Sequence, residues 1–212
     1  KQKLLYKWYL NIEGLLDKEN LTTTNRMLHP LLLSDGSLIV TNVGKKNQIL
    51  KISPSGNLIS TNKEFVFHHS LEVDQQENIY APIHKELGNP SDGFVILDKE
   101  LNLLKKVFIE DIYKKSGLEY LYYSPIPFVD PFHLNDVQPF IENSQSRIVL
   151  LSLRNKSSIM AYNFQDEKVI WILNGYATMQ HDVDILNADG SHISIFDNNT
   201  LGKKETKFNI FT

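Results

Sequence analysis

At 212 residues the chain can form one large domain or two small ones, and it can bury a sizeable core. Apolar residues make up 42% and aromatics 10%, the composition of a folded globular protein, while a net charge of −3 with no basic block excludes a binder of nucleic-acid backbones. There is no cysteine, which excludes disulfides, thiol nucleophiles and thiolate metal sites, and no apolar run reaches bilayer-spanning length.

The chain begins at Lys1 with neither a methionine nor an apolar signal core, so it reads as a processed or trimmed form. Residues 1–10 carry Leu4-Leu-Tyr-Lys-Trp-Tyr-Leu10, which reads as the outer strand of a flanking unit, and Asn11 to Arg26 is a polar connection. From His29 onward, short apolar runs alternate with turn signals. Asp35-Gly36 and Pro54-Ser-Gly56 separate four such runs between residues 29 and 61 and predict an antiparallel meander. The pattern returns over 65–109, with polar turns at Asp74 to Glu77 and Asp98-Lys-Glu100. After an insertion at 110–129 it returns again over 130–173, and once more over 180–212 around Asp189-Gly190.

A four-strand unit recurring every forty to sixty residues or so predicts β-propeller blades. One meander of this size cannot cover both faces of its sheet, so neighbouring units must stack. The expected fold is all-β, with about four blades of a β-propeller visible in the chain, read as a segment of a larger propeller.

Each unit has a histidine shortly before its first turn: His29, His69, His133 and His181. The first strand of a propeller blade is the innermost, so equivalent positions of successive blades face one axis and converge on one pocket. A single such histidine reads as a strand cap; four in equivalent places read as a composite site. His68 must point opposite to His69 on an extended strand, and His84 and His192 read as structural or surface residues. Clustered imidazoles can ligate a transition metal, supply a nucleophile or recognise an anion. Arg154, at the end of the second strand of the third unit, favours an anion. A fixed cation opposes a metal but gives forked hydrogen bonds to sulfate, phosphate or carboxylate.

Phe67-His68-His69, Asp130-x-x-His133-x-Asn135, Leu151-Ser-Leu-Arg154, Trp171, Gln180-His181-Asp182, Asp189-Gly190 and Phe196-Asp197-Asn198 resemble, in order and spacing, the arylsulfotransferase β-propeller family. The resemblance covers roughly residues 29–200. It implies a six-bladed propeller and transfer of a sulfuryl group from an aryl sulfate donor to a phenolic acceptor, without a nucleotide donor, through a sulfated histidine. By position, His181 would be the nucleophile, His133 and Arg154 would hold the sulfuryl oxygens, and His69 would complete the pocket. Asn135, His29, Tyr123 and Phe132 are the expected substrate contacts, with Tyr122 and Phe128 nearby; packing of the insertion competes with stacking for these aromatics.

Neither cofactor nor metal, no nucleic-acid partner and no membrane span is expected; the resemblance suggests a periplasmic or otherwise exported location, and a homo-oligomer is left open. Two further readings stay in view: a non-catalytic propeller binding an anionic or aromatic ligand, and a histidine-ligated metal enzyme.

Overall fold

Among the described residues, four successive antiparallel sheets follow from the rhythm of apolar runs and tight turns. The computed structural model describes residues 4, 6, 7, 9, 26–43, 47–86, 89–122, 130–140, 147–199 and 207–211. The first sheet takes β1 (Arg26–Leu32), β2 (Leu38–Val43), β3 (Gln48–Ile52) and β4 (Leu58–Asn62) in order. In the second, β5 (Val66–Phe67) and β6 (Glu72–Val73) both pair with β7 (Ile79–Glu86), followed by β8 (Asn89–Leu97) and β9 (Leu103–Phe108). The third holds β10 (Leu134–Phe140), β11 (Ile148–Leu153), β12 (Ser158–Asn163) and β13 (Lys168–Asn174). The fourth holds β14 (His181–Ile185), β15 (Ile193–Asp197) and β16 (Lys207–Phe211). These are β-propeller blades.

The hairpins close by local chemistry. Asp74 Oδ1 accepts from the Gln76 and Asn78 backbone amides, and Asp98 Oδ1 does the same for Glu100 and Asn102. Such carboxylate turns compete with strand continuation and fix where each strand reverses. The insertion at 110–129 contains two helices, α1 (Ile109–Lys115) and α2 (Glu119–Tyr122). Of residues 4–10, expected to form an outer strand, Leu4, Tyr6, Lys7 and Tyr9 are described and none lies in a strand; Tyr6 instead donates its hydroxyl hydrogen to the Pro54 carbonyl at 2.5 Å.

Strand periodicity explains how the sheets stack. Ile79, Ala81, Val95 and Leu97 join Leu33, Ile39, Ile49 and Phe67 in a core between the first and second sheets. The intervening Tyr80, Phe94 and Ile96 face the other way and meet Val137, Val149, Leu151, Met160 and Tyr162 of the third, together with Ile109, Ile112 and Tyr113 of α1. In the third sheet, Leu150, Ile159 and Ala161 turn their backs on that core and meet Val183, Ile193 and Ile195 of the fourth. Successive side chains on one strand thus feed two different interfaces, which is why these strands are apolar throughout rather than alternating. This stacking brings the inner edges of three sheets together.

Candidate active site

The inner strands break their ladders where the histidines lie. Register shifts fall between Leu28 and Leu31, between Leu134 and Asp136, and between His181 and Val183, while in the second sheet the gap between β5 and β6 contains His68 to Leu71. His29, His69 and His133 adopt left-handed backbone (φ +44°, +55° and +52°), as do Met179 and Asp182 on either side of His181. A bulge of this kind re-aims a side chain out of the pleat. Here the result is convergence.

His69, His133 and His181 bring one ring nitrogen each within 4.8 Å of one another. Ring centroids lie 4.9 Å apart for His69 and His133, and 5.9 Å apart for His69 and His181. Each ring is held from behind at Nδ1. His133 Nδ1 lies 2.5 Å from Asp130 Oδ2, and Asp130 Oδ1 also accepts from the His133 amide at 2.9 Å. His69 Nδ1 lies 2.8 Å from His68 Nδ1, and His181 Nδ1 lies 3.0 Å from Asn198 Nδ2, which donates to the Met179 carbonyl at 2.7 Å. Nε2 of each ring is then the atom available to a substrate.

Arg154 opens the 3-10 turn Arg154–Lys156 directly after β11. Its backbone amide donates to the His133 carbonyl at 3.1 Å, and its Nη1 donates to Asn155 Oδ1 at 2.8 Å. Asn155 in turn donates from its backbone to the Phe132 carbonyl (2.9 Å) and from Nδ2 to the Asp130 carbonyl (2.6 Å). The turn therefore latches the 130–133 loop that carries His133.

Burial and neighbouring charges favour the uncharged form of His69 and His181. Burial lowers His69, and the neighbouring His133 and His181 add to the effect, taking it to about 3. Burial also lowers His181, helped by the charge of Arg154 and by His133 and opposed by a hydrogen bond to the Met179 backbone. At Asp130, burial works to raise the carboxyl, but the His133 ring, Asp92 and the backbone outweigh it and hold it below its usual range.

The expected substrate contacts fare differently. Asn135 is buried, and its Nδ2 donates to the Gln180 carbonyl at 2.7 Å, a tie between the third and fourth sheets rather than a free substrate contact. Phe132 is 2% exposed between Tyr113 and Tyr122, with Lys156 Nζ 5.5 Å from its ring centre. The expectation of aryl stacking there gives way to packing of the insertion, because no face of the ring is left open. His29 is exposed and reaches His69 only through its electric field. Tyr123 and Phe128 lie outside the described residues. Trp171, on β13, lines an apolar surface pocket with Phe140 and Gly190, away from the histidines.

His84, read from sequence as structural or surface, belongs to a second cluster. It stacks on His68 at 4.0 Å between ring centroids, and its Nδ1 lies 2.9 Å from Asp92 Oδ1. Beside the trio, Glu72, Asp136 and Asp182 also bring carboxylate oxygens within 4.8 Å of one another. Burial and then the neighbouring aspartates raise Glu72 to about 8, and burial raises Asp136 to about 7. Asp136 accepts from Ser70 Oγ of the second sheet and from the Val183 amide of the fourth (2.9 Å), so it pins three sheets at the base of the site. The signal that could have revealed these partners was a polar residue inside each otherwise apolar inner strand.

Residues 111–210 match the family model described as arylsulfotransferase (ASST). No curated protein matches the chain. Among solved structures, a protein of unknown function from Bacteroides caccae is 12% identical, with a TM-score of 0.51 over 84% of this chain and 59% of that one. The β-propeller domain of Cps50 (Swd1) from Myceliophteria thermophila is 11% identical, with a TM-score of 0.55 over 84% of this chain and 49% of that one. Virginiamycin B lyase from Staphylococcus aureus is 11% identical, with a TM-score of 0.50 over 91% and 57%. At such identity these likenesses concern the fold alone. The chain spans between about half and three-fifths of the length of these structures.

Proposed function

Residues 111–210 belong to the arylsulfotransferase family, and from that premise we propose that the chain moves a sulfuryl group from an aryl sulfate ester to a phenolic acceptor through His181. In the first step the His181 Nε2 lone pair attacks sulfur and forms an N–S bond. The bond from sulfur to the aryl oxygen breaks, and the phenolate leaves with the electron pair and takes a proton. In the second step the oxygen of a phenolic acceptor attacks the same sulfur, the N–S bond breaks, and the acceptor gives up its proton. We assign the handling of that proton to His133, held at Nδ1 by Asp130, by the logic of a positioned acid and base.

The observation that carries this reading is the meeting of His69, His133 and His181 from three sheets, with Arg154 close enough for its charge to depress His181. Sulfuryl transfer, by analogy with phosphoryl transfer, spreads negative charge over the equatorial oxygens. A fixed guanidinium and imidazole donors stabilise that charge, while an uncharged imidazole is the form that can attack. A hydrogen bond donated by the His181 ring to the Met179 backbone supports attack, because it leaves the lone pair on the other ring nitrogen.

The test is release of para-nitrophenol from para-nitrophenyl sulfate with phenol as acceptor. His181→Asn should reduce release by at least about a thousandfold, the scale expected when a covalent nucleophile is lost. Release that survives this substitution would remove His181 from the role, and a variant that still binds the ester without turnover in either protein would favour a binding propeller.

A further inference from the structure

His68, His84 and Asp92 form a built site of their own behind the reaction centre. Asp92 is 2% exposed and His68 is 6% exposed. His68 Nε2, His84 Nδ1 and Asp92 Oδ1 are all buried, and none has a hydrogen-bond partner. The 2.9 Å between His84 Nδ1 and Asp92 Oδ1 is short, yet it lacks hydrogen-bond geometry; His68 Nε2 stands 3.8 Å from the same oxygen. Three orphaned, inward-facing donor atoms in one place are costly to keep, at about 1–3 kcal/mol for each uncompensated polar group.

We propose that His68, His84 and Asp92 bind a divalent transition-metal ion of the zinc type. Two imidazole nitrogens and one carboxylate oxygen are a recurrent ligand set for such ions, with a fourth position left to water. Bonds of about 2.1 Å to a common centre leave the donors roughly 3 to 4 Å apart; Asp92 Oδ1 lies 2.9 and 3.8 Å from the two histidine nitrogens, and all three atoms fall within 4.8 Å of one another. The rest of each ligand is already held: Asp92 Oδ2 accepts from the Leu134 amide at 3.0 Å.

The consequence reaches the trio. With Nε2 of His68 on the metal, its remaining proton sits on Nδ1 and is donated to His69 Nδ1 across 2.8 Å. His69 then presents Nε2–H to the pocket as a donor. The metal is a positioning element, and its binding does not depend on the sulfuryl-transfer reading.

The whole chain, stripped with EDTA and dialysed, is titrated with zinc chloride by calorimetry, and cobalt chloride uptake is followed by its visible absorption. One equivalent should bind. His84→Gln and Asp92→Asn should each weaken binding by at least about tenfold to a hundredfold, while His181→Asn leaves it unchanged. His84→Gln guards against the case in which Asp92→Asn fails to fold, since His84 sits at the rim with a side chain 23% exposed. Failure of the wild type to bind zinc, or binding lost in His181→Asn but kept in His84→Gln, would overturn the proposal; the second result would move the metal to the trio.

Discussion

A histidine in left-handed backbone is costly outside a turn, by about 1–2 kcal/mol relative to the usual regions, and such residues gather where geometry serves chemistry. His69 and His133 both have that conformation, and both contribute to the trio. The recurrence of a histidine before each first turn was legible in sequence because it depends only on order along the chain. What held those rings was not. Asp130 lies three residues before His133, and its hydrogen bonds to the ring and amide depend on the loop that Asn155 latches, a contact across 25 residues.

Arg154 gives the residue-scale prediction. Attack needs uncharged His181, so kcat/KM should rise with pH through the His181 pKa and level off above it. Burial and the Arg154 charge hold that pKa below its ordinary 6.5, and the acid limb should therefore lie below 6.5. Replacing Arg154 by Gln removes a charge that opposes protonation. The limb should then move to higher pH, by up to about one unit, while the plateau rate falls. A limb that stays in place in Arg154→Gln would mean that the arginine acts on the sulfuryl oxygens alone.

At the scale of elements, hairpins and turns were readable because Asp-Gly and short polar turn signals are local. The second histidine cluster was not readable, and the reason is register. His84 on β7 and Asp92 on β8 are direct cross-strand partners, eight residues apart, and each sits at the edge of an apolar run where a polar residue reads as solvent-facing. Only pairing turns them toward one another, and only the break between β5 and β6 turns His68 onto the same spot. Asn135 illustrates the opposite error: its motif position suggested a substrate contact, but pairing gives its amide to Gln180.

Gly93, next to Asp92, sets how closely β8 and β9 approach. A Cβ there would lie 2.5 Å from the Val107 carbonyl oxygen and 2.8 Å from Phe108 Cδ1. The first of these is backbone, which cannot rotate away. Gly93→Ala should destabilise the fold by about 1–3 kcal/mol through forced separation of the two strands. Thermal unfolding checks this: a melting temperature equal to the parent's would mean the hairpin relaxes at no cost.

For the whole molecule, the expected propeller class follows from the second and third sheets, which bury both faces, with neighbouring residues on one strand feeding separate cores. Repeat rhythm and apolar runs made this visible in sequence. The candidate site is a property of this scale, because His69, His133 and His181 belong to three different sheets and meet only when the sheets stack. The most direct measurement is peptide mass mapping after a rapid quench, with para-nitrophenyl sulfate present and no acceptor. A sulfuryl adduct on the peptide containing His181, formed in step with para-nitrophenol release and discharged by added phenol, is the expected result. Release of para-nitrophenol with that peptide unmodified, or with the adduct on another residue, would contradict the account.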